Sequence, residues 1–385
     1  MTSSLMNTYG NRALTIVKGE GCRVWDDNGK EYLDALSGIA VCGLGHCHRA
    51  ITQAVSEQAA TLVHTSNLYN LPVQQQAGEA LCKVSGMDQV FFSNSGAEAN
   101  EAAIKIARKF GNNKGISSPT VITMEGSFHG RTMATLTATG NAKVKTGFTP
   151  LLEGFVHVPF DDISAVEALS NNDSIVAILV EPVQGEGGIR VPADDYLKKL
   201  RRICDQNDWL LMVDEIQTGN GRTGHHFAHH AAGIKPDVMS TAKGLGNGLP
   251  VGACLTHGKA NNILQPGNHG STYGGNPIAC AAVSAVIETM IKENIVEAVR
   301  EKGAYFKAGF TEALALKNTV KEYRQRGFMI GIELDHDCTD LVGKAADKGL
   351  LINVTAGNVI RLLPPLIMSA QDIDTTIRIV ASLID

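Results

Sequence analysis

The sequence predicts an α/β protein: a large domain with a mostly parallel central sheet covered by helices, and a smaller α+β domain. Three observations carry this. Short apolar runs alternate with helix-like segments through most of the chain. Compact motifs follow directly on several of those runs. Near residue 280 the texture changes to long amphipathic helices and a few short strand patterns. Strand–helix alternation is the pattern of a parallel sheet buried on both faces. Residues just after such strands lie at the carboxyl edge, where open α/β sheets bind ligands.

The elements follow in order. Cys22-Arg23-Val24-Trp25 and Tyr32-Leu33-Asp34 flank an Asp27-Asn28-Gly29 turn, and residues 1–50 are expected to pack with the small domain. In residues 51–280, the large domain, strands are predicted at Val90–Phe92, Val121–Met124, Ile175–Val180, Leu210–Val213, Val238–Thr241 and Gly252–Thr256. Helices are predicted at Ala97–Phe110, Ile163–Leu169 and Tyr196–Asn207. Beyond them, Ile278–Asn294 and Ile295–Leu316 read as amphipathic helices. Met329–Leu334, Leu351–Asn353 and Val359–Leu362 supply a small sheet in residues 281–385.

Bulk properties remove several function classes. At 385 residues the chain exceeds what one core usually serves. A net charge of −5, with no long basic run, argues against nucleic acid as the main partner. Met1-Thr2-Ser3-Ser4-Leu5-Met6-Asn7 is polar and lacks a signal-peptide apolar region, and the apolar stretch Ile278–Ile287 is too short to span a membrane. A cytoplasmic location, with no membrane partner, is expected. The eight cysteines contain no Cys-x-x-Cys and read as reduced, mostly buried thiols. Two clusters, Cys42/His46/Cys47/His48 and His225/His226/His229/His230, lack structural-zinc spacing, so no metal is expected.

The chemistry is concentrated at two strand ends. Leu210-Leu211-Met212-Val213 runs into Asp214-Glu215-Ile216-Gln217. Val238-Met239-Ser240-Thr241-Ala242 delivers Lys243 into the glycine-rich turn Gly244-Leu245-Gly246-Asn247-Gly248. A carboxylate at one strand end and a lysine at the next suit pyridoxal phosphate. The amine forms a Schiff base with the aldehyde, and the aspartate pairs with the pyridine nitrogen, which makes the ring an electron sink. Two other readings compete. An apolar run ending in Asp-Glu also occurs in phosphate-loop nucleotidases, but the chain lacks Gly-x-x-x-x-Gly-Lys-Ser/Thr. Gly219, Gly221 and Gly224 make one Gly-x-Gly-x-x-Gly, the sign of an NAD-dependent oxidoreductase. Yet Asp214 and Glu215 stand between strand and glycines and would repel a pyrophosphate.

Other motifs add the remaining contacts. After Val90-Phe91-Phe92, Ser95 can cap a helix with Glu98 three residues on, and Gly96 lets a ligand approach the backbone. That helix start can hold a phosphate, although taken alone it is an ordinary capped helix. After Val121–Met124, Phe128 can stack on a pyridine ring and Arg131 can grip a carboxylate. The plain alternative is a buried phenylalanine and a surface arginine.

Taken in order, the motifs resemble those of the class-III, fold-type-I pyridoxal-phosphate aminotransferases over nearly the whole chain. They are Ser95-Gly96-Ala97-Glu98-Ala99-Asn100, Phe128-His129-Gly130-Arg131-Thr132, Glu181-Pro182-Val183-Gln184-Gly185-Glu186-Gly187-Gly188, Asp214-Glu215-Ile216-Gln217-Thr218-Gly219, Lys243 and Gly270-Ser271-Thr272-Tyr273-Gly274-Gly275-Asn276-Pro277. The resemblance implies that Lys243 is the Schiff-base lysine and the proton shuttle, and that Asp214 holds the pyridine nitrogen. It implies that Gln217 bonds the ring hydroxyl, that Phe128 and Ile216 sandwich the ring, and that Gly96 and Ala97 after the Ser95 cap hold the phosphate. It implies that Thr272 reaches the phosphate of a neighbouring subunit, which makes a homodimer with shared active sites. Arg131 and Ser271 match substrate-contacting positions, Arg361 the site of glutamate's α-carboxylate, and Glu186 its acidic partner.

Relatives acting on free ornithine carry a tyrosine where this chain has Ile39, in Gly38-Ile39-Ala40-Val41-Cys42. The aliphatic residue favours an acylated ω-amine. The expected reaction moves the δ-amino group of N2-acetyl-L-ornithine to 2-oxoglutarate. Succinylated ornithine and succinyl-diaminopimelate are further candidates, and 4-aminobutyrate or free ornithine the alternatives within the family.

Overall fold

A computed structural model describes residues 4–10 and 12–385; Met1, Thr2 and Ser3 of the polar N-terminal stretch, and Asn11, lie outside the described residues. The strands run in chain order as β1 (Ile16–Glu20), β2 (Arg23–Asp26), β3 (Glu31–Asp34), β4 (Gln89–Ser93), β5 (Thr120–Met124), β6 (Phe155–Val158), β7 (Ile175–Val180) and β8 (Leu210–Asp214). They continue as β9 (Val238–Thr241), β10 (Gly252–Thr256), β11 (Val320–Arg326), β12 (Met329–Leu334), β13 (Leu350–Leu351), β14 (Asn353–Thr355) and β15 (Val359–Leu362).

The central sheet has seven strands in the order β4-β10-β9-β8-β7-β5-β6. Neighbours pair in parallel except at β10, which is antiparallel to both β4 and β9. Strands β7 and β8 are buried at every position, as unbroken apolar runs in the middle of a covered parallel sheet should be. Their side chains divide by the two-residue period. Leu210 and Met212 pack under Ala102, Ala103, Ile106 and Ala107 of helix Gly96–Asn113. Leu211 and Val213 pack under Tyr196, Leu200 and Ile203 of helix Tyr196–Asn207. This layering brings β8 and β9 side by side and their ends, Asp214 and Lys243, to one edge.

A second core joins the N-terminal segment to the C-terminal region. Leu33 and Ile51 share it with Phe306, Phe310, Ile332, Ile360 and Ile373. Two four-stranded sheets lie here, β1-β2-β3-β13 and β11-β12-β15-β14. The sequence pattern puts one strand at Leu351–Asn353, whereas the chain changes sheets there. β13 pairs in parallel with β3, β14 pairs with β15, and Ile352 between them turns into the shared core.

Several elements escape the sequence pattern, among them three around the large domain. Helix Arg49–Thr61 buries only Ile51 along its length, so its apolar stripe is weak. Helix Pro72–Ser85 packs mainly through Ala77, Gly78, Leu81 and Ser85, mostly small residues. Strand β6 lies at the sheet edge and is mostly half-buried. Among the described residues no helix is long and apolar enough to cross a membrane.

Candidate active site

The edge where β8 and β9 end opens into a cavity of about 420 Å³ lined by Val41, Ser95, Gly96, Ala97, Phe128, His129, Arg131, Glu181, Glu186, Asp214, Ile216, Gln217 and Lys243. That volume suits a small cofactor with part of a substrate.

Its floor is Asp214. One carboxylate oxygen accepts hydrogen bonds from Asn100 Nδ2 and His129 Nδ1, each at 2.8 Å. The other accepts from the Ile216 amide at 3.1 Å. An ionised carboxylate only accepts, so this contact places the His129 proton on Nδ1. Asn100 and His129 come from the helix after β4 and the turn after β5, and Asn100 also donates to the His129 carbonyl at 2.8 Å.

Lys243 sits two residues beyond β9, with a positive φ of 48° that a lysine adopts only when its surroundings enforce it. Asn220 Nδ2 braces the preceding residues by donating to Thr241 Oγ1 at 3.0 Å and to the Ala242 carbonyl at 3.1 Å. Burial lowers the pKa of the Lys243 amine; Glu186 and Asp214 oppose this, and Arg361 adds to it. The result favours a neutral amine able to act as nucleophile and base.

The walls fit a flat ring. Phe128 and Ile216 both line the cavity, and a Cβ on Gly96 would come within 2.7 Å of Ile216 Cδ1. Gln217 is placed by Gly185, where a Cβ would come within 2.1 Å of Gln217 Oε1. The Ser95 hydroxyl caps the helix by accepting from the Glu98 amide at 3.2 Å, and the helix N-terminus Ser95-Gly96-Ala97 opens on the cavity. Two buried polar atoms of lining residues, Gln217 Oε1 and His129 Nε2, have no protein partner, and neither has Oδ1 of Asn100, which bonds Asp214. A ring hydroxyl would donate to Gln217 Oε1, a protonated pyridine nitrogen would donate to Asp214, and a phosphate would accept from the amides of the helix start. The residues present therefore fit pyridoxal phosphate.

Above the floor stands an ion pair. Arg361 on β15 is 1% exposed and donates from Nη1 to Glu186 Oε1 at 2.6 Å. Its Nε and Nη2 both reach Asn353 Oδ1, at 3.2 and 2.8 Å. Burial alone would raise the Glu186 pKa, but the Arg361 charge takes its carboxyl below the ordinary value. Glu181 behaves oppositely. It is buried in the same cavity, accepts from the Phe128 amide at 3.1 Å and from the Gly185 amide at 3.3 Å, and its pKa is driven well up by burial and by Asp214.

The remaining expected residues are spread outward. Arg131 is exposed at the cavity mouth, its guanidinium carbon 5.7 Å from the Phe128 ring centroid. Ser271 lies outside the lining; its hydroxyl accepts from Asn94 Nδ2 at 3.1 Å and from the Gly274 amide at 2.9 Å. Thr272 is exposed and also outside the lining. Ile39 packs against the apolar cluster of Ala40, Val183, Ile189, Met329 and Leu363, and the residue of that loop that lines the cavity is Val41. Sequence reasoning missed His129, Asn100, Glu181, Val41 and Asn220. The first three stand inside motifs the sequence displays, but nothing in one chain says that they converge.

Other expectations resolve outside the cavity. His229 is buried, its Nδ1 3.1 Å from Glu215 Oε1 and its Nε2 3.3 Å from the Ser85 carbonyl, which His230 also contacts at 3.1 Å. These histidines tie β8 to helix Pro72–Ser85. Gly219 and Gly221 pack against Phe227 and Met290 rather than opening a phosphate cradle. All eight cysteines are free, and five are buried.

Comparison with known proteins agrees with this geometry. The profile of the aminotransferase class-III family matches residues 5–384. The chain is similar to the acetylornithine aminotransferase of Nitrosomonas europaea, 52% identical over 383 residues, covering 99% of this chain and 98% of the relative. It is 48% identical to that of Caldanaerobacter subterraneus over 378 residues, covering 97% and 95%. Among solved structures, the ornithine aminotransferase of Toxoplasma gondii superposes with a TM-score of 0.95 at 34% identity, over 98% of this chain and 91% of the other. The N-acetylornithine aminotransferase of Stenotrophomonas maltophilia gives 0.85 at 34% identity, over 98% and 97%.

Proposed function

The chain belongs to the class-III aminotransferases, a pyridoxal-phosphate-dependent family, and from that premise we propose that it moves the δ-amino group of N2-acetyl-L-ornithine to 2-oxoglutarate. The products are N-acetylglutamate 5-semialdehyde and L-glutamate. The observation that carries this reading is that Glu186, which lines the cavity of Lys243, is joined at 2.6 Å to the buried Arg361 behind it.

Bound pyridoxal phosphate supplies an electron sink for the carbon that loses its proton. The protein's residues do the rest. Asp214, oriented by His129 and Asn100, keeps a negative charge at the pyridine nitrogen. Lys243 Nζ, its pKa lowered by burial, takes the proton from the reacting carbon and returns it on the far side of the transfer. Arg131 at the mouth holds the distant carboxylate of either substrate.

The two half-reactions pose different problems. An ω-amine brings no carboxylate to the reacting carbon, and an unpaired buried arginine is costly there. Glu186 neutralises Arg361 for that substrate. Glutamate brings its α-carboxylate and takes Arg361 for itself as Glu186 moves aside. Fold likeness does not choose between acylated and free ornithine, since both kinds of enzyme superpose well. The whole-length sequence relatives and the aliphatic Ile39–Val41 loop, which offers no hydroxyl to a free amino-acid head, support the acylated substrate.

A homodimer belongs to this proposal. Leu62, Val63, Leu68, Tyr69 and Tyr273 are exposed around the segment carrying Thr272, where the Asn276 side-chain amide ties down the Val63 carbonyl at 2.9 Å. An apolar surface of this kind fits a second copy, whose phosphate site Thr272 would complete. The cytoplasm as the place of reaction is likewise part of the proposal. Single-turnover loss of cofactor absorbance with a panel of ω-amines tests the substrate. N-acetylornithine should react at least about tenfold more efficiently than free ornithine or 4-aminobutyrate. A preference for either of the latter overturns the assignment, and a fully active monomer in sedimentation overturns the shared site.

A further inference from the structure

One segment outside the reacting groups touches both sides of the site. Asn220 holds the two residues before Lys243 through Thr241 Oγ1 and the Ala242 carbonyl. Two positions on, Arg222 is 2% exposed and its guanidinium bonds to other segments of the chain. Its Nη1 donates to the Pro364 carbonyl and, at 3.4 Å, to the Phe328 carbonyl. Its Nη2 donates at 3.4 Å to Ser37 Oγ, which in turn donates to the Leu363 carbonyl at 2.7 Å. The Arg222 carbonyl accepts from the Phe328 amide at 2.8 Å.

Leu363 and Pro364 directly follow β15, two and three residues beyond Arg361. The guanidinium is therefore committed to the chain that carries Arg361, while its near neighbour Asn220 is committed to the chain that carries Lys243. No carboxylate forms an ion pair with Arg222 among the described residues; burial pushes its pKa down to about 9, with Asp34 pulling it back. An apolar residue would fill such a place at less cost. What the cation adds is a rigid fork reaching several acceptors at once.

We propose that Asn220–Arg222 is a strap fixing the span between Lys243 and Arg361, and that Arg222 is a positioning residue for the substrate's α-carboxylate. The proposal rests on the reading of Arg361 as the α-carboxylate site. It predicts an asymmetry that general loosening would not produce. Glutamate needs Lys243 and Arg361 at a set separation. N-acetylornithine reacts with Arg361 masked by Glu186 and its own carboxylate held by Arg131, so it is indifferent to that separation.

The test uses holoenzymes of the parent chain, Arg222→Met, Arg222→Lys, Ser37→Ala and Arg361→Ala. Single-turnover rates and half-saturation are read from cofactor absorbance with glutamate and with N-acetylornithine. Binding of glutarate, a dicarboxylate without an amine, is read by calorimetry. Arg222→Met should weaken glutamate half-saturation and glutarate binding by about tenfold or more, and change N-acetylornithine by less than about twofold. Arg222→Lys should fall between, because it keeps the charge and loses the fork. Ser37→Ala should shift the same quantities in the same direction by a smaller factor, and it carries the test if Arg222→Met does not fold. Equal loss in both half-reactions, or unchanged glutarate affinity in both Arg222→Met and Ser37→Ala, overturns the proposal. If Arg361→Ala itself leaves glutarate binding unchanged, the α-carboxylate reading fails and the strap's role with it. If Arg361→Ala weakens glutarate and the strap variants do not, only the strap is wrong.

Discussion

The floor and the rim of the cavity are built on different principles. The floor is assembled from strand ends and the turns after them: Asp214 after β8, Lys243 after β9, Ser95–Ala97 after β4 and Phe128–His129 after β5. Its parts are held by short hydrogen bonds within one sheet layer, as at Asp214 with Asn100 and His129. The rim joins segments far apart in the chain, with Glu186 meeting Arg361 across 175 positions and Val41 arriving from the N-terminal region. On the proposed function, the floor would serve any substrate that reacts at the same ring, whereas the rim would decide which substrate is admitted and which end of it faces the lysine.

Substitutions should separate the two. The largest effect is expected at the floor. Lys243→Ala should retain cofactor affinity and lower both half-reactions together by about 10²–10⁴-fold or more, the range of a lost general base. In the parent chain, borohydride should fix the yellow chromophore to the Lys243 peptide, and a colourless protein binding NAD instead would refute the floor altogether. Next comes the rim. Arg361→Ala should damage the glutamate and 2-oxoglutarate half-reactions most, by more than about tenfold, and spare the amine half-reaction. Equal damage in stopped-flow traces would mean that rim and floor are not separable.

A smaller effect tests the boundary between them. Glu181 has a folded-state pKa well above its ordinary 4.5. Above pH 4.5 the folded form therefore holds a proton that the unfolded form has lost. Stability contributed by this group should fall as pH rises from 4.5 through the raised folded value, with a slope of about 1.4 kcal/mol per pH unit. Glu181→Gln removes the titration. The variant should gain urea stability relative to the parent across that window and show no gain below it. A difference that stays constant as pH rises from 4.5 would say that the folded state does not hold the Glu181 proton. The smallest effect is expected at Ile39→Tyr. Ile39 packs beside the cavity wall formed by Val41, so the new hydroxyl should shift preference toward free ornithine only severalfold, measured as a ratio of half-reaction rates.

The same contrast explains what one chain reveals about itself. The central sheet is legible because β7 and β8 are unbroken apolar runs, and strand ends are local, so Asp214 and Lys243 stand out with their neighbours. Strand β6 and helix Arg49–Thr61 are not legible, because their burial is partial and leaves little period in the sequence. The break at Ile352 is invisible for another reason: which sheet each half joins is decided by β3 and β15, far away in the chain. In the site, Glu186 and Arg361 are reached through likeness of motifs and not through spacing. His129 and Asn100 sit inside displayed motifs, yet their meeting at Asp214 depends on three elements packing at once. Loop geometry at residues 36–42, with positive φ at Ser37, Ile39 and Ala40, turns Val41 rather than Ile39 to the cavity, and no residue pattern announces that.

The claim that the rim selects substrates through a masked arginine is tested most directly by Glu186→Gln. Single-turnover absorbance of the holoenzyme should be followed with N-acetylornithine and with glutamate, side by side with the parent. Removing the charge leaves Arg361 buried without its anion, a loss of about 3–5 kcal/mol for a pair of this kind. The glutamate half-reaction should survive, the N-acetylornithine half-reaction should fall by more than about tenfold, and transamination at the α-amino group of other amino acids should rise. Equal slowing with both substrates would contradict the account and leave Glu186 a structural partner of Arg361.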